Sequence, residues 1–389
     1  AAGNDGPLAT LDAARLRMRE IKSAAHRDYL VLIRGGTYRL SSAVLFDIED
    51  TAPDERIITY AAYPGETPVF SAGVPVTGWR KSDAPAIADG ARGQVWCADL
   101  PHGLGCIKSL FDGAQLLPRA RSGMFFYQGE MIHSWNAVFT DESKWVAKYP
   151  AGALKSWHNI EDIEVGARSV NWTINYLPMA KVNLSSNTAV TAVPATYSFN
   201  RGRKSHGSSE ELPTLWIENA LEYLTEPGQW TVDTVDRKIY YWPENDVPGD
   251  NIIAPALREL VRVEGCVDLA GPVDEPLKGL IFRGLTFKHG DRDVWRLKDA
   301  GIQHDWEMID KADALLRFRG VEQCAAENCT FTESGGTALR FDLHAMHCRA
   351  LGNHIHHIGQ GGVMLIGYGP GTKDVNRLNG VVNNHIHDC

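Results

Sequence analysis

Arginine, aspartate and histidine alternate along one predicted strand, as Arg340, Asp342 and His344. Because successive side chains of a strand point to opposite faces, this spacing predicts that all three share one face. On that face Asp342 can act as general acid or base, His344 as a proton shuttle and Arg340 as a charge stabiliser. An outer face held together by salt bridges has the same residue pattern, so both interpretations stay open. We assign Asp342 and His344 to catalysis, and Arg340 to substrate binding, as hypotheses.

A second group of polar side chains lies in a glycine-rich loop at residues 367–374 and just after it. Tyr368, Lys373 and Arg377 offer the base and the cation that elimination at a uronate requires, the cation facing the carboxylate. Asp374 offers, with Asp342 on a neighbouring repeat, the pair of carboxyl groups that hydrolysis of a glycosidic bond requires. Surface loops often carry function, although a plain surface bulge would have the same composition.

Half of the 14 histidines lie near the end of the sequence, where Asn-His-Ile-His occurs from Asn353 and again from Asn384. Outward histidines of the two copies, such as His354 above His385, would bring together neutral imidazoles, which are good zinc or copper ligands. However, no Asp or Cys completes a recognised ligand spacing, and stacked imidazoles also pack well on a sheet. We therefore predict no metal and no cofactor, and we assign His385 and His387 to substrate binding.

The elements that must position these residues are short strands in a repeat. Asn328-Cys-Thr-Phe and the two Asn-His-Ile-His stretches are predicted to occupy equivalent positions. Strand-rich repeats of about 20–50 residues indicate a solenoid, in which each repeat contributes three short strands and stacking buries a common core. With Ile355 and Ile386 inward, the asparagines would form a ladder at the turn and the histidines would point outward.

A second alignment stacks the strands "LLRFRG", "ALRFDL" and "VMLIGYG" of successive repeats. It predicts that Leu316, Leu339 and Leu365 point inward, that Arg317 lies outward beside Arg340, and that Arg319 lies outward beside Asp342. At the strand spacing of about 4.8 Å the two arginines repel unless a carboxylate such as Asp342 lies between them. The face is either salt-bridged or a cationic groove wall for an acidic or hydroxyl-rich sugar, with Arg317 as a binding residue.

The rest of the sequence predicts a helix with Leu11, Met18 and Ile21 on one face and Thr10 as its N-cap. Strand and turn patterns dominate elsewhere, with a hairpin turn at residues 235–238. We predict three parts: residues 1–75 as a helix cap and first strands, residues 76–255 as an inserted β-sandwich-like domain, and residues 256–389 as coils that are truncated at their C-terminal end.

Composition excludes several classes of protein. No run of 18 or more apolar residues is present, so we expect no membrane span. The net charge of −9 is spread along the chain, and the absence of a basic face argues against nucleic acid partners. The seven cysteines fit neither a zinc ribbon nor a disulfide framework. The first residues lack the charged and apolar regions of a signal peptide.

These patterns resemble the right-handed parallel β-helix of many polysaccharide lyases, glycoside hydrolases and sugar epimerases. The resemblance rests on five segments, "VLIRGGTYRLSS", "ITYAAYPGETPVFSAGVPVTGW", "FDGAQLLPRAR", "EPGQWTVDTVDRKIYYWP" and "YGPGTKDVNRLNGVVNNHIHDC". The third and fourth are similar to a β-sandwich inserted in a subset of these enzymes. The family's first strand and later coils have no counterpart here, so we expect a fragment whose further acidic catalytic residues lie beyond Cys389.

The resemblance implies an all-β fold, a right-handed parallel β-helix with an inserted antiparallel domain, and a substrate groove along one sheet. We predict a glycoside hydrolase that acts on a plant or algal polysaccharide through paired carboxyl groups. A polysaccharide lyase and a non-catalytic carbohydrate-binding or adhesion solenoid are the alternatives. We further expect a monomer that is secreted, periplasmic or at the cell surface.

Overall fold

The structure is a computed structural model, and it describes residues 7–23, 27–133, 142–204, 209–297, 311–369 and 371–389. Helix α1 spans Leu11–Ile21, and the Thr10 hydroxyl accepts a hydrogen bond from the Ala13 N–H at 3.1 Å, which confirms the predicted N-cap. Helix α2, Glu142–Trp145, is a single turn. Short 3₁₀ turns lie at Ile48–Asp50, Pro53–Glu55, Asp89–Ala91, Ile160–Asp162 and Leu221–Tyr223.

The strands fall into three groups along the chain. The first is β1 Tyr29–Ile33, β2 Gly36–Arg39, β3 Val44–Phe46, β4 Ile58–Ala62 and β5 Pro68–Ser71. The second is β6 Gly73–Pro75, β7 Arg80–Lys81, β8 Trp96–Asp99, β9 Phe111–Asp112, β10 Gln115–Leu116, β11 Val146–Lys148, β12 Glu164–Val170, β13 Thr173–Asn183, β14 Thr188–Thr191, β15 Leu215–Glu218, β16 Trp230–Asp233, β17 Lys238–Tyr241 and β18 Ile252–Pro255. The third is β19 Glu259–Glu264, β20 Leu277–Lys278, β21 Leu280–Arg283, β22 Thr286–Gly290, β23 Ala314–Glu322, β24 Ala325–Glu327, β25 Thr330–Ser334, β26 Leu339–Met346, β27 Arg349–Leu351, β28 His354–Ile358, β29 Val363–Ile366, β30 Asn376–Arg377, β31 Gly380–Val382 and β32 His385–His387.

The first and third groups build three parallel sheets. Sheet 1 has the order β1-β4-β21-β24-β27-β31, and sheet 2 has the order β2-β5-β22-β25-β28-β32. Sheet 3 has the order β3-β19-β23-β26-β29, with β20 beside β23 and β30 beside β26. The chain passes through the sheets in the same sequence each time, and we call one such passage a coil. The all-β class and the stacking of successive repeats are therefore confirmed.

The core between the sheets is built from stacked aromatic and aliphatic side chains. Phe318 and Phe341 lie ring over ring with centroids 5.0 Å apart, and Phe287 and Phe331 do so at 5.3 Å. Leu316 and Leu339 pair in register and are buried, as predicted. The alignment of the next strand is wrong by two residues, because Leu339 pairs with Val363 and Leu365 with Phe341. Leu365 keeps the predicted parity but is exposed, since it lies on the last coil of sheet 3.

The turn between sheets 1 and 2 repeats a left-handed residue. Gly284, Asn328, Gly352 and Asn383 follow the sheet 1 strands of successive coils, with φ between 51° and 68°. Gly and Asn adopt this conformation at least cost. The predicted equivalence of Asn328 with Asn353 is therefore wrong by one residue, because Thr330 pairs with His354. Asparagine occurs both at the left-handed position of the turn and at the position after it. The repeat pattern alone does not show which of these two positions a given asparagine occupies.

The predicted asparagine ladder is confirmed at Asn353 and Asn384, which follow the left-handed residues Gly352 and Asn383. Asn353 accepts a hydrogen bond from the Cys329 N–H at 2.9 Å and donates to the Ala326 carbonyl at 3.0 Å. Asn384 repeats the pattern, accepting from the Asn353 N–H at 2.9 Å and donating to the Ala350 carbonyl at 2.9 Å. These contacts satisfy backbone groups that leave the strand ladders at the turn, which a buried turn requires.

The second group of strands forms antiparallel sheets between β5 and β19. Their orders are β10-β9-β18-β6, β11-β14-β13-β12-β15 and β16-β17-β8-β7. Strands β16 and β17 form the hairpin predicted around residues 235–238. Three separate apolar clusters fill the described residues of this part, one around Leu177 and Ile217, one around Trp230 and Ile239, and one around Val95 and Tyr240. None of the helices in the described parts of the chain has the length and apolar character that crossing a bilayer requires.

Candidate functional site

Two columns of charged side chains run across the coils on the outer side of sheet 3. The strand register stacks Arg262, Arg317 and Arg340 in one column. It stacks Glu264, Arg319 and Asp342 in the next. The predicted neighbours Arg317–Arg340 and Arg319–Asp342 are thus confirmed. The first column is all arginine, and the second supplies carboxylates to both columns. Glu264 pairs with Arg262 and Arg319, and Asp342 pairs with Arg317 and Arg340.

Asp342 lies between the two arginines. Its Oδ2 accepts a hydrogen bond from Arg317 Nε at 2.6 Å and one from Arg340 Nε at 3.0 Å. The side chains of Asp342 and Arg340 are 0% exposed, and that of Arg317 is 3% exposed. The carboxylate that we expected to relieve arginine repulsion is therefore present. Of the two interpretations left open, this geometry supports the salt-bridged face over an open cationic wall, because these side chains are buried and paired.

His344 does not join Asp342, and the cause is a β-bulge. Leu343 has a φ of 59°, and the register between β23 and β26 shifts after Arg319. The bulge adds a residue on β26 and re-aims the side chains that follow it. His344 instead contacts Asp274 through Nδ1 at 3.2 Å and Glu322 through Nε2 at 3.0 Å. The prediction that Arg340, Asp342 and His344 act together as one group is corrected accordingly.

Asp274 contacts residues of two predicted groups, the charged strand and the glycine-rich loop. Its carboxylate accepts hydrogen bonds from Tyr368 Oη at 2.8 Å and Lys373 Nζ at 2.8 Å, and it contacts His344. Burial would raise the pKa of Asp274, but the hydrogen bonds from Lys373 and its other partners lower it below the ordinary value. Burial and the hydrogen bond to Asp274 raise the pKa of Tyr368. Tyr368 and Lys373 are therefore held by an ionised aspartate that the sequence did not single out.

The remaining predicted residues lie apart from these groups. Asp374 is 85% exposed and pairs with Arg377 at 3.4 Å. His385 and His387 lie on β32 of sheet 2, whereas Asp342 lies on sheet 3. The predicted residues thus fall into four separate groups. The first is Arg317, Arg340 and Asp342, and the second is His344, Tyr368 and Lys373. The third is Asp374 and Arg377, and the fourth is His385 and His387.

A cleft of about 400 Å³ opens where β19 meets the loop at residues 103–107 of the antiparallel part. Two carboxyl groups, Glu259 and Asp291, line it together with Arg258 and Arg262. Clefts with convergent polar groups and buried titratable residues are the common setting of an active site.

Glu259 is almost fully buried and incompletely paired. Its Oε1 accepts from Arg262 Nε at 2.6 Å, and its Oε2 lies 3.6 Å from Arg317 Nη1 without a hydrogen-bond partner in the described part of the chain. Burial raises the pKa of Glu259, and Arg262 and Arg317 only partly oppose this. The carboxyl group is thus biased towards its protonated form.

Asp291 is the second carboxyl group of the cleft. It accepts hydrogen bonds from the backbone N–H groups of Lys108 at 3.0 Å and Arg292 at 3.0 Å. Burial raises the pKa of Asp291, while these backbone donors favour its ionised form. The two carboxyl groups of one cleft are therefore held by different partners, arginine side chains for Glu259 and mainly backbone donors for Asp291.

Sequence reasoning missed Glu259, Asp291, Asp274 and Glu322. Aligning "ELVRVEG" with "LLRFRG" would have placed Arg262 on Arg317 and so included Glu259 in the charged strand series. Asp274 and Asp291 lie outside the strands, where no periodicity marks them. Their roles depend on contacts with residues far along the chain.

The comparisons with known proteins concern the fold. No protein-family model and no curated protein sequence matches the chain. A solved structure described as a glycoside hydrolase superposes with a TM-score of 0.64 at 18% identity, covering 92% of this chain and 71% of the other. Another, described as the complex structure of XylC with xylose, has a TM-score of 0.39 at 12% identity and covers 100% of this chain and 56% of the other. At 18% identity the first likeness establishes a shared fold and leaves the chemistry to the site.

Proposed function

We propose that the protein is a carbohydrate-active enzyme and, more specifically, a glycoside hydrolase. The observation that carries this proposal is the cleft in which two buried carboxyl groups, Glu259 and Asp291, stand beside arginines. Hydrolysis of a glycosidic bond uses two carboxyl groups, one of which must hold a proton. The fold shared with a structure described as a glycoside hydrolase supports the same conclusion.

Glu259 serves as the general acid in this proposal. Burial raises the pKa of Glu259 and so favours the protonated form that a general acid requires. Asp291 supplies the second carboxyl group, which accepts hydrogen bonds from the backbone N–H groups of Lys108 and Arg292. Arg258 and Arg262 line the same cleft and can donate hydrogen bonds to sugar hydroxyl groups.

Most of the residues predicted from the sequence to act on the substrate instead position other groups in this proposal. Asp342 orients Arg317, and Arg317 reaches Glu259, so that this row is a positioning network for the acid. His344, Tyr368 and Lys373 fix the loop that follows β29 through Asp274. The roles of Asp374, Arg377, His385 and His387 as substrate contacts stay predictions.

Hydrolysis is favoured over elimination by the state of the loop residues. A tyrosine acting as base needs a lowered pKa, whereas burial and Asp274 raise the pKa of Tyr368. Lys373 is committed to the Asp274 carboxylate at 2.8 Å and is not free to neutralise a uronate. A lyase would have to release both residues from Asp274 first.

The architecture and setting complete the proposal. The coils are expected to wind in the right-handed sense, as a parallel β-helix, because crossovers between parallel strands are almost always right-handed. Residues 76–255 are proposed to form the inserted β-sandwich-like domain, between residues 1–75 and 256–389. A plant or algal polysaccharide as substrate, a monomeric state, and a secreted, periplasmic or cell-surface location also belong to the proposal.

The test compares Glu259→Gln with Glu264→Gln, since both glutamates lie on β19 and contact Arg262. Sugar release from plant and algal polysaccharides is followed together with circular dichroism of each variant. We expect Glu259→Gln to lower kcat by about 10²-fold or more, the usual size of general acid catalysis, with little change for Glu264→Gln. Equal activity of both variants and the wild type would refute the assignment. An unsaturated product would indicate a lyase, and binding without turnover would indicate an adhesion module.

A further inference from the structure

Three histidines converge on the outer face of sheet 2. His385 and His387 are two residues apart on β32 and so share a face, and His354 pairs with His385 from the neighbouring strand β28. One ring nitrogen from each of the three lies within 4.8 Å of the others. The Nε2 atoms of His354 and His387 are 2.9 Å apart.

We propose that His354, His385 and His387 form a binding site for a divalent transition metal ion, with zinc as the expected occupant. Three imidazoles with a fourth position left to water are an established ligand set for zinc. At Zn–N distances of about 2.0–2.1 Å, tetrahedral ligands lie roughly 3.3 Å from one another. The Nε2 atoms of His354 and His387 are 2.9 Å apart and the ring nitrogens of all three histidines lie within 4.8 Å of one another, so that side-chain rotations can seat the ion.

The neighbouring carboxylate supports the assignment. His387 Nδ1 lies 2.8 Å from Asp388 Oδ2, so that the Nδ1–H donates to the carboxylate and Nε2 carries the lone pair. That Nε2 is the atom directed at His354. A carboxylate that fixes the tautomer of a ligating histidine is the usual outer partner of a zinc ligand.

Stacking alone does not explain this geometry. The rings of His354 and His385 are nearly parallel at 5.2 Å, and those of His356 and His387 are nearly parallel at 5.3 Å, as a simple ladder would give. The close approach of Nε2 atoms between His354 and His387 is diagonal and joins two ring edges.

The experiment measures Zn²⁺ binding by competition with a chromophoric chelator, and Co²⁺ binding by its visible absorption bands. Cys266 and Cys389 are exposed free thiols that would bind zinc themselves, so both are replaced by serine in every protein compared. The variants are His354→Gln, His385→Gln and Asp388→Asn. The matched control is His347→Gln, which removes an exposed imidazole from the same coils but outside the group.

We expect one bound ion per chain in the parent protein and in His347→Gln. Loss of either ligand histidine should weaken binding at least about 10-fold, and Asp388→Asn should weaken it by about 10–100-fold. Bound Co²⁺ should show the intense bands of a four-coordinate site only when all three histidines are present. Absence of one-to-one binding in the parent, or equal affinities in His347→Gln and the two ligand variants, would overturn the proposal.

Discussion

At the scale of single residues, Asp342 shows how burial changes the role of a residue with catalytic chemistry. The strand pattern placed it outward, and it does lie away from the core, but two arginines enclose it. Asp342 is needed to balance the charge of the two buried arginines. A carboxylate in that role is not free to act as a catalytic acid or base. Its contribution to activity is therefore expected to pass through Arg317 and Glu259.

Replacing Asp342 by Asn should cost stability. The change removes the carboxylate that both Arg317 and Arg340 contact, and breaking a buried ion pair costs about 3–5 kcal/mol in free energy of unfolding. Asp374→Asn is the matched control, because Asp374 is 85% exposed and surface changes cost about 0.5 kcal/mol or less. Urea titrations of both variants measure the difference. Similar midpoints for the two would show that the Asp342 network carries no stability.

The pKa of Glu259 gives a pH-dependent prediction. Burial raises this pKa above the value of about 4.3 in the unfolded chain, so the folded state binds the proton more tightly. The contribution of Glu259 is most favourable below about pH 4.3 and is lost as the pH rises through the folded-state pKa. The stability of the wild type relative to Glu259→Gln should therefore fall as the pH rises above about 4.3 in urea titrations. A difference that grows with pH would contradict the raised pKa.

At the scale of elements, the turn between sheets 1 and 2 separates two uses of asparagine. Asn328 has a φ of 51° and lies at the left-handed position of the turn. Asn353 follows that position on the next coil and pairs buried backbone groups. The stacking of coils was predictable from the repeated strands. The exact register depends on whether each asparagine adopts the left-handed conformation or pairs the buried backbone groups.

These two asparagines should respond differently to substitution. Asn353→Ala leaves the Cys329 N–H and the Ala326 carbonyl without their partner, at a cost of about 1–3 kcal/mol for each unpaired buried group. Asn328→Gly keeps a residue that adopts positive φ freely and should change stability little. Thermal and urea unfolding of both variants test the register. A larger loss in Asn328→Gly would reverse the assignment.

Strand β26 shows where prediction from sequence ends. Its first half was predictable, because the alternation of Leu339, Arg340, Phe341 and Asp342 fixes which side chains face the core. Its second half was not, because the bulge at Leu343 has no distinctive residue. The left-handed residue coincides with a change of partner strand, from β29 before the bulge to β30 after it.

At the scale of the whole molecule, the apolar interior is divided. One cluster runs through the coils from Leu11 on α1 to Ile358 on β28. A separate cluster around Leu177 fills the antiparallel sheet of β11 to β15. The contact between these parts includes a buried ion pair, Glu164 on β12 with Arg292 after β22 at 2.5 Å. The proposed cleft opens beside this contact, so that both parts supply its lining.

Separate cores predict separate losses of protection in hydrogen exchange. Phe318→Ala removes a fully buried ring stacked on Phe341, at a cost of about 3–5 kcal/mol, and Leu177→Ala is the matched change in the other cluster, at about 2–5 kcal/mol. In stacked repeats each coil is stabilised by its neighbours, so Phe318→Ala should expose β21 to β28 first and leave β12 to β15 protected. Leu177→Ala should do the reverse. If each variant lowers protection equally in both parts, the ion pair and cleft contacts couple them into one cooperative unit, and the division of the core does not govern unfolding.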